Sequence, residues 1–112
     1  MVNSLTETLR AIKIAQDANY GVVISKYTGA RGKSGSSDAS AELMSKIRTL
    51  FNKNDVLWHV GELGKVDAGG GGTIAQYVAN LGVETVDCGV PVLSMHAPFE
   101  VVSKLDVYMA YK

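Results

Sequence analysis

The sequence predicts an α/β fold: a small layered domain with a three- to four-stranded, mostly parallel sheet flanked by about four helices. Three observations lead there. Apolar residues recur at helical spacing in several segments, short β-branched runs lie between those segments, and the two kinds of segment alternate along the chain. With 112 residues, the chain has the usual size of one domain, so a single unit over residues 1–112 is expected.

The first helix is expected from about Leu5 to Ala18. Ser4-Leu5-Thr6-Glu7 has capping-box spacing, and Leu5, Leu9 and Ile12 follow at helical intervals. Gly21-Val22-Val23-Ile24-Ser25 is an uninterrupted β-branched run, as in a strand covered on both faces. The stretch from Lys26 to Ser36, dense in Gly, Ser and cations, predicts a loop, and Ser37 or Asp38 can cap the second helix. Leu43, Met44, Ile47, Leu50 and Phe51 give that helix its apolar face, with Glu42, Lys46, Arg48 and Lys53 solvated opposite.

Val56 to Val60 predicts a second strand. A third helix opens at the glycine run, with Ile74, Ala75, Val78 and Leu81 inward and Gly82 as its carboxyl cap. Thr85 to Cys88 predicts a third strand, with Val90 to Leu93 a short extended continuation interrupted by Pro91. A last helix runs from about Ser103, with Asp106 at capping-box spacing. The outer strands of so small a sheet would seek a partner, so a homo-oligomer through an exposed sheet edge is expected.

Composition narrows the function. Hydrophobic content of 46% and charged content of 20% fit a globular protein rather than a disordered one. A formal net charge of zero argues against a nucleic-acid partner. No apolar run approaches the ~20 residues of a membrane span, so no membrane partner is expected. The single cysteine, Cys88, fits a reducing, cytoplasmic setting.

Two motifs carry the candidate chemistry. Gly69-Gly70-Gly71-Gly72-Thr73 places four glycines ahead of a helical pattern, a costly choice unless backbone must pass close to something. Gly70, Gly71, Gly72 and Thr73 are therefore candidate contacts to an anion or substrate at a helix start. The run lacks P-loop lysine and Rossmann spacing, so a tight turn explains it equally well. His96 follows an apolar, strand-like run, where a loop would carry it to a ligand-facing edge. His59 and Cys88 are the other His/Cys candidates, and no H-x-x-x-H or C-x-x-C pair brings two together. No complete set of catalytic residues is evident.

Residues from about Tyr20 to Lys112 resemble the carboxyl-terminal part of bacterial metallo-aminopeptidases of the aspartyl aminopeptidase family. The resemblance lies in Lys26-Tyr27-Thr28-Gly29, in Gly61-Glu62-Leu63-Gly64-Lys65-Val66-Asp67 and in Gly69 through Ala75. It continues in Asp87-Cys88-Gly89 and in Leu93-Ser94-Met95-His96-Ala97-Pro98-Phe99-Glu100. It implies that His96 stands where the family has a zinc ligand of a two-metal site that hydrolyses amino-terminal residues from peptides. The family's other ligands lie upstream of the matching segment, and none has a counterpart here. Residues 2–25 are in turn similar to a helix–strand unit of the enolase barrel, through Ser4 to Ile12 and Tyr20 to Ser25.

The two resemblances overlap at Val22 to Ser25 and imply a chimera joined within that strand. The leading expectation is accordingly an engineered α/β scaffold without native catalysis, needing no cofactor although zinc belongs to its parent family. The alternative is a fragment of a metallo-aminopeptidase that is active when completed by the missing segments. A small anion-binding module is the third reading.

Overall fold

The computed structural model describes residues 17–29, 36–61 and 73–112. The expected first helix lies outside them except for its end, where Asp17 is helical and Ala18 begins a turn. Asn19 then takes a left-handed φ of 73° and Gly21 one of 93°. At Gly21 this geometry is required twice over, because a Cβ there would lie 2.1 Å from the Leu57 carbonyl oxygen.

The chain next enters β1 (Val22–Ser25), the centre of a three-stranded sheet of order β4-β1-β5. Its central place explains its composition: Val22, Ile24 and Ser25 are buried, and Ile24 is wholly inaccessible. β4 (Trp58–Val60) runs parallel to β1, with Val22 opposite Trp58 and Ile24 opposite Val60. β5 (Asp87–Gly89) runs antiparallel on the other side, with Ser25 opposite Asp87. The three-stranded sheet is therefore mixed rather than mostly parallel. The reason is visible in β5 itself, whose half-exposed Asp-Cys-Gly sequence is unlike the continuous apolar run of a buried parallel strand.

The expected loop after β1 is instead the base of a hairpin. β2 (Tyr27–Gly29) and β3 (Ser36–Asp38) pair antiparallel, Tyr27 opposite Asp38 and Thr28 opposite Ser37. The buried Thr28 and Ser37 hydroxyls share a 2.6 Å hydrogen bond, and Lys26 pairs with Asp38 at 2.5 Å. Ser37 and Asp38 are thus engaged in the hairpin and do not cap the next helix. Ser40 does, its Oγ accepting from the Leu43 N–H at 3.1 Å at the start of α1 (Ala41–Lys53).

α1 packs Leu43, Met44, Ile47 and Phe51 onto Ile24 and Ala39, with Trp58 and Val86 completing the core. Leu50, expected on that face, is 57% exposed. Trp58 is fixed by its indole N–H, which donates to Asn52 Oδ1 at 2.9 Å, and by the Arg48 guanidinium 5.9 Å from its ring centre.

The third expected helix is shorter than its apolar pattern suggested. α2 (Ala75–Ala79) buries Ala75, whereas Ile74 and Leu81 are 76% and 80% exposed. Five residues make about one and a half turns, too few to present a four-residue stripe to one neighbour. Gly82 ends the segment as expected, at a φ of 76° with its N–H donating to Ala79 O at 2.9 Å.

Val92 and Leu93 do not continue β5. They form β6 (Val92–Leu93), which pairs antiparallel with β7 (Val101–Val102). The last helix, α3 (Lys104–Tyr111), begins at Ser103, as the spacing predicts. The capping box does not form. Asp106 is fully buried and accepts instead from the Asn19 and Gly21 N–H groups, each at 2.8 Å. Ser103 Oγ donates to Asn19 Oδ1 at 3.0 Å rather than capping its own helix. No described helix is long and apolar enough to cross a membrane.

Candidate metal centre around His96

His96 sits in the seven-residue loop between β6 and β7, closed by the pair Leu93–Val101. Every residue from Ser94 to Glu100 is exposed. The Ala97 N–H donates to Ser94 O at 2.9 Å, making Ser94 to Ala97 a four-residue turn with His96 third. The φ of His96 is 67°, a value that favours glycine or asparagine at that position. Its backbone N–H donates to Glu100 Oε1 at 2.6 Å, a short charge-assisted contact. Met95 and Phe99, 54% and 86% exposed, flank the imidazole in sequence.

An exposed imidazole on a hydrogen-bonded turn suits a metal donor, and its ring makes no hydrogen bond or ion pair among the described residues. Zinc requires about three protein ligands in a catalytic site and four in a structural one. No group of three His, Cys, Asp or Glu side chains converges among the described residues. His96 therefore fits as one donor, not as a centre by itself.

The structure places the other sequence candidates elsewhere. His59 lies on β4, packed edge-on to Tyr20 with ring centres 6.3 Å apart, and its Nε2 is 3.6 Å from Asp17 Oδ1. Cys88 lies on β5, exposed as a residue. Partial desolvation, and secondarily the Asp87 carboxylate, push its thiol above the ordinary cysteine range. That is the wrong direction for an activated nucleophile. Gly70, Gly71 and Gly72 lie outside the described residues. Thr73 is half-buried, and its Oγ1 accepts from the Ala75 N–H at 3.3 Å, so its hydroxyl serves the start of α2. Sequence reasoning missed Glu100, although it stands four residues beyond His96 in the same motif.

Relatives extend this local reading. The family profile described as aminopeptidase I zinc metalloprotease (M18) matches residues 12–112. A probable M18 family aminopeptidase 1 of Borreliella burgdorferi is 50% identical over 110 residues, 98% of this chain and 24% of its own length. The protein of the same description from Clostridium acetobutylicum is 53% identical over 88 residues, 79% of this chain and 19% of its own length. Among solved structures, an M18-family aminopeptidase of Thermotoga maritima superposes with a TM-score of 0.76 at 47% identity. That superposition covers 87% of this chain and 22% of the other. Aminopeptidase I of Clostridium acetobutylicum gives 0.73 at 50% identity, over 83% and 21%. The chain thus spans about a quarter of the length of the curated relatives it matches.

These matches overturn the expectation of an engineered chimera without native catalysis. The match to the Borreliella relative covers 98% of the chain and so extends to both sides of the supposed junction at Val22 to Ser25, which leaves the segment likened to enolase within an aminopeptidase match. The chain belongs to the aminopeptidase I zinc metalloprotease (M18) family.

Proposed function

We propose that this chain is the His96-bearing segment of a zinc aminopeptidase that removes amino-terminal residues from peptides, the remaining metal ligands coming from polypeptide outside it. The observation that carries the reading is the 50% identity over 98% of the chain to an M18 aminopeptidase. The exposed, turn-held imidazole of His96 supports it at the level of chemistry. Zinc bound in such a centre polarises a carbonyl and makes water nucleophilic near neutral pH. His96 contributes a neutral imidazole nitrogen to that centre, and its turn sets where the nitrogen points. Association through an unpaired sheet edge is a further part of the proposal.

The test is complementation. The 112-residue chain is co-expressed with the part of the Borreliella relative that it does not match, and the purified complex is assayed for bound zinc and for release of amino-terminal residues. Activity is expected with the native chain. His96→Ala should lower zinc occupancy and cut turnover by on the order of 100-fold or more, given what even outer partners of ligands contribute. A complex that co-purifies but shows equal zinc and turnover with His96→Ala would refute the role of His96.

A further inference from the structure

We propose that Glu100 is a positioning residue: by accepting the His96 N–H it locks the Ser94–Ala97 turn in the form that presents the imidazole. The inference rests on the reading of His96 as a zinc ligand for its consequence, though not for its geometry. Ser94 and His96 have φ values of 59° and 67°, so two non-glycine residues two positions apart occupy the left-handed region in one loop. Such a pair persists only where surrounding contacts hold it. One contact is the Ala97 N–H to Ser94 O bond, which either common turn type would keep. The other is the 2.6 Å bond from His96 N–H to Glu100 Oε1, which only one orientation of the Met95–His96 peptide permits.

The competing form of the same four residues is a type I turn, in which the third residue has a φ near −90°. Flipping the Met95–His96 peptide into that form turns the N–H away from Glu100 and re-aims the Cα–Cβ bond of His96. Glu100 is suited to oppose the flip because it adjoins Val101, whose pairing with Leu93 anchors the end of the loop. A carboxylate fixed at one side of the loop thereby determines the direction of an imidazole at its tip. All these residues are exposed, so the bond is not a by-product of core packing.

The experiment uses the 112-residue chain with Glu100→Ala, Glu100→Gln and His96→Ala. Hydrogen exchange at the His96 amide and its amide–Hα coupling report the turn, and the zinc content of the same variants, each co-purified with the part of the Borreliella relative that the chain does not match, reports metal binding. In Glu100→Ala the His96 amide should exchange roughly tenfold faster, the change expected on losing a charge-assisted bond. Its coupling should move off the native value, and the zinc content of the complex should fall several-fold. Glu100→Gln keeps an oxygen acceptor and should recover much of the native behaviour, which loss of stability alone would not explain. Native exchange, coupling and zinc content in Glu100→Ala, or no recovery in Glu100→Gln, would overturn the proposal. If the native complex and its His96→Ala variant hold equal zinc, the ligand reading fails while exchange and coupling still decide the role of Glu100.

Discussion

Asp106 links two parts of the chain far apart in sequence. Its two carboxylate oxygens accept from Asn19 and Gly21 N–H groups that are 87 and 85 residues away, and no solvent reaches it. Those donors belong to left-handed residues that leave the first helix and enter β1, so they have no partner in regular structure. Removing the acceptor leaves them buried or half-buried and unsatisfied. Asp106→Ala is expected to cost about 2–3 kcal/mol in urea unfolding, and Asp106→Asn, which retains one acceptor oxygen, less. Equal stability of Asp106→Ala and the native chain would show that water replaces the carboxylate. The same residue shows where sequence reasoning stopped. A Ser-x-x-Asp spacing identifies a helix start at Ser103, and that start is correct. The spacing does not reveal that a more distant turn takes the carboxylate.

Among the elements, α1 is the one whose local chemistry and tertiary packing agree most closely. Leu43, Met44, Ile47 and Phe51 were legible as one apolar face, and that face covers Ile24. Its start was less legible because Ser37, Asp38 and Ser40 all have side chains able to cap a helix. Thr28 and Lys26, on the partner strand and at its approach, engage the first two and leave the third. Ser40 also donates from Oγ to Glu84 Oε1 at 2.9 Å, tying the helix start to the loop before β5. Ser40→Ala should therefore lower stability by about 1 kcal/mol through loss of the cap. Ser40→Asp, which keeps the cap acceptor but faces Glu84, separates the two contributions by the salt dependence of its denaturation midpoint. A Ser40→Ala midpoint equal to the native one would mean that water satisfies the Leu43 N–H equally well.

For the whole molecule, the exposed apolar surface is the dominant fact. Tyr20, Ile74, Leu81, Phe99 and Tyr111 are between 65% and 88% exposed, and Val60 on β4 is 54% exposed. So many large apolar side chains left exposed mark surface suited to contact with another chain or domain. Relatives four times as long supply an obvious source of cover, and in its absence a second copy can take that place. Among the described residues, β4 and β5 each pair on one side only. Sedimentation of the isolated chain should thus show a mass that rises with concentration. Val60→Lys, a charge on an edge strand, should return the chain toward monomer. Undiminished association in Val60→Lys would place the contact away from the β4 edge.

Taken alone, the sequence determined the α/β class, the strand at Val22–Ser25 covered on both faces and most of the inward face of α1, because burial periodicity is a local property. Through its motifs it also determined the aminopeptidase resemblance and the candidacy of His96. Only tertiary structure decided that β5 runs antiparallel, that Lys26 to Asp38 forms the base of a hairpin and that Val101–Val102 pairs with Val92–Leu93. Strand direction and pairing depend on how the chain returns through space, and short polar strands carry little burial pattern to announce it. The engagement of Asp106 with Asn19 and Gly21, and of Glu100 with His96, was settled at the same level. A carboxylate takes the donors that folding brings within reach, and those donors need not be the ones nearest in sequence.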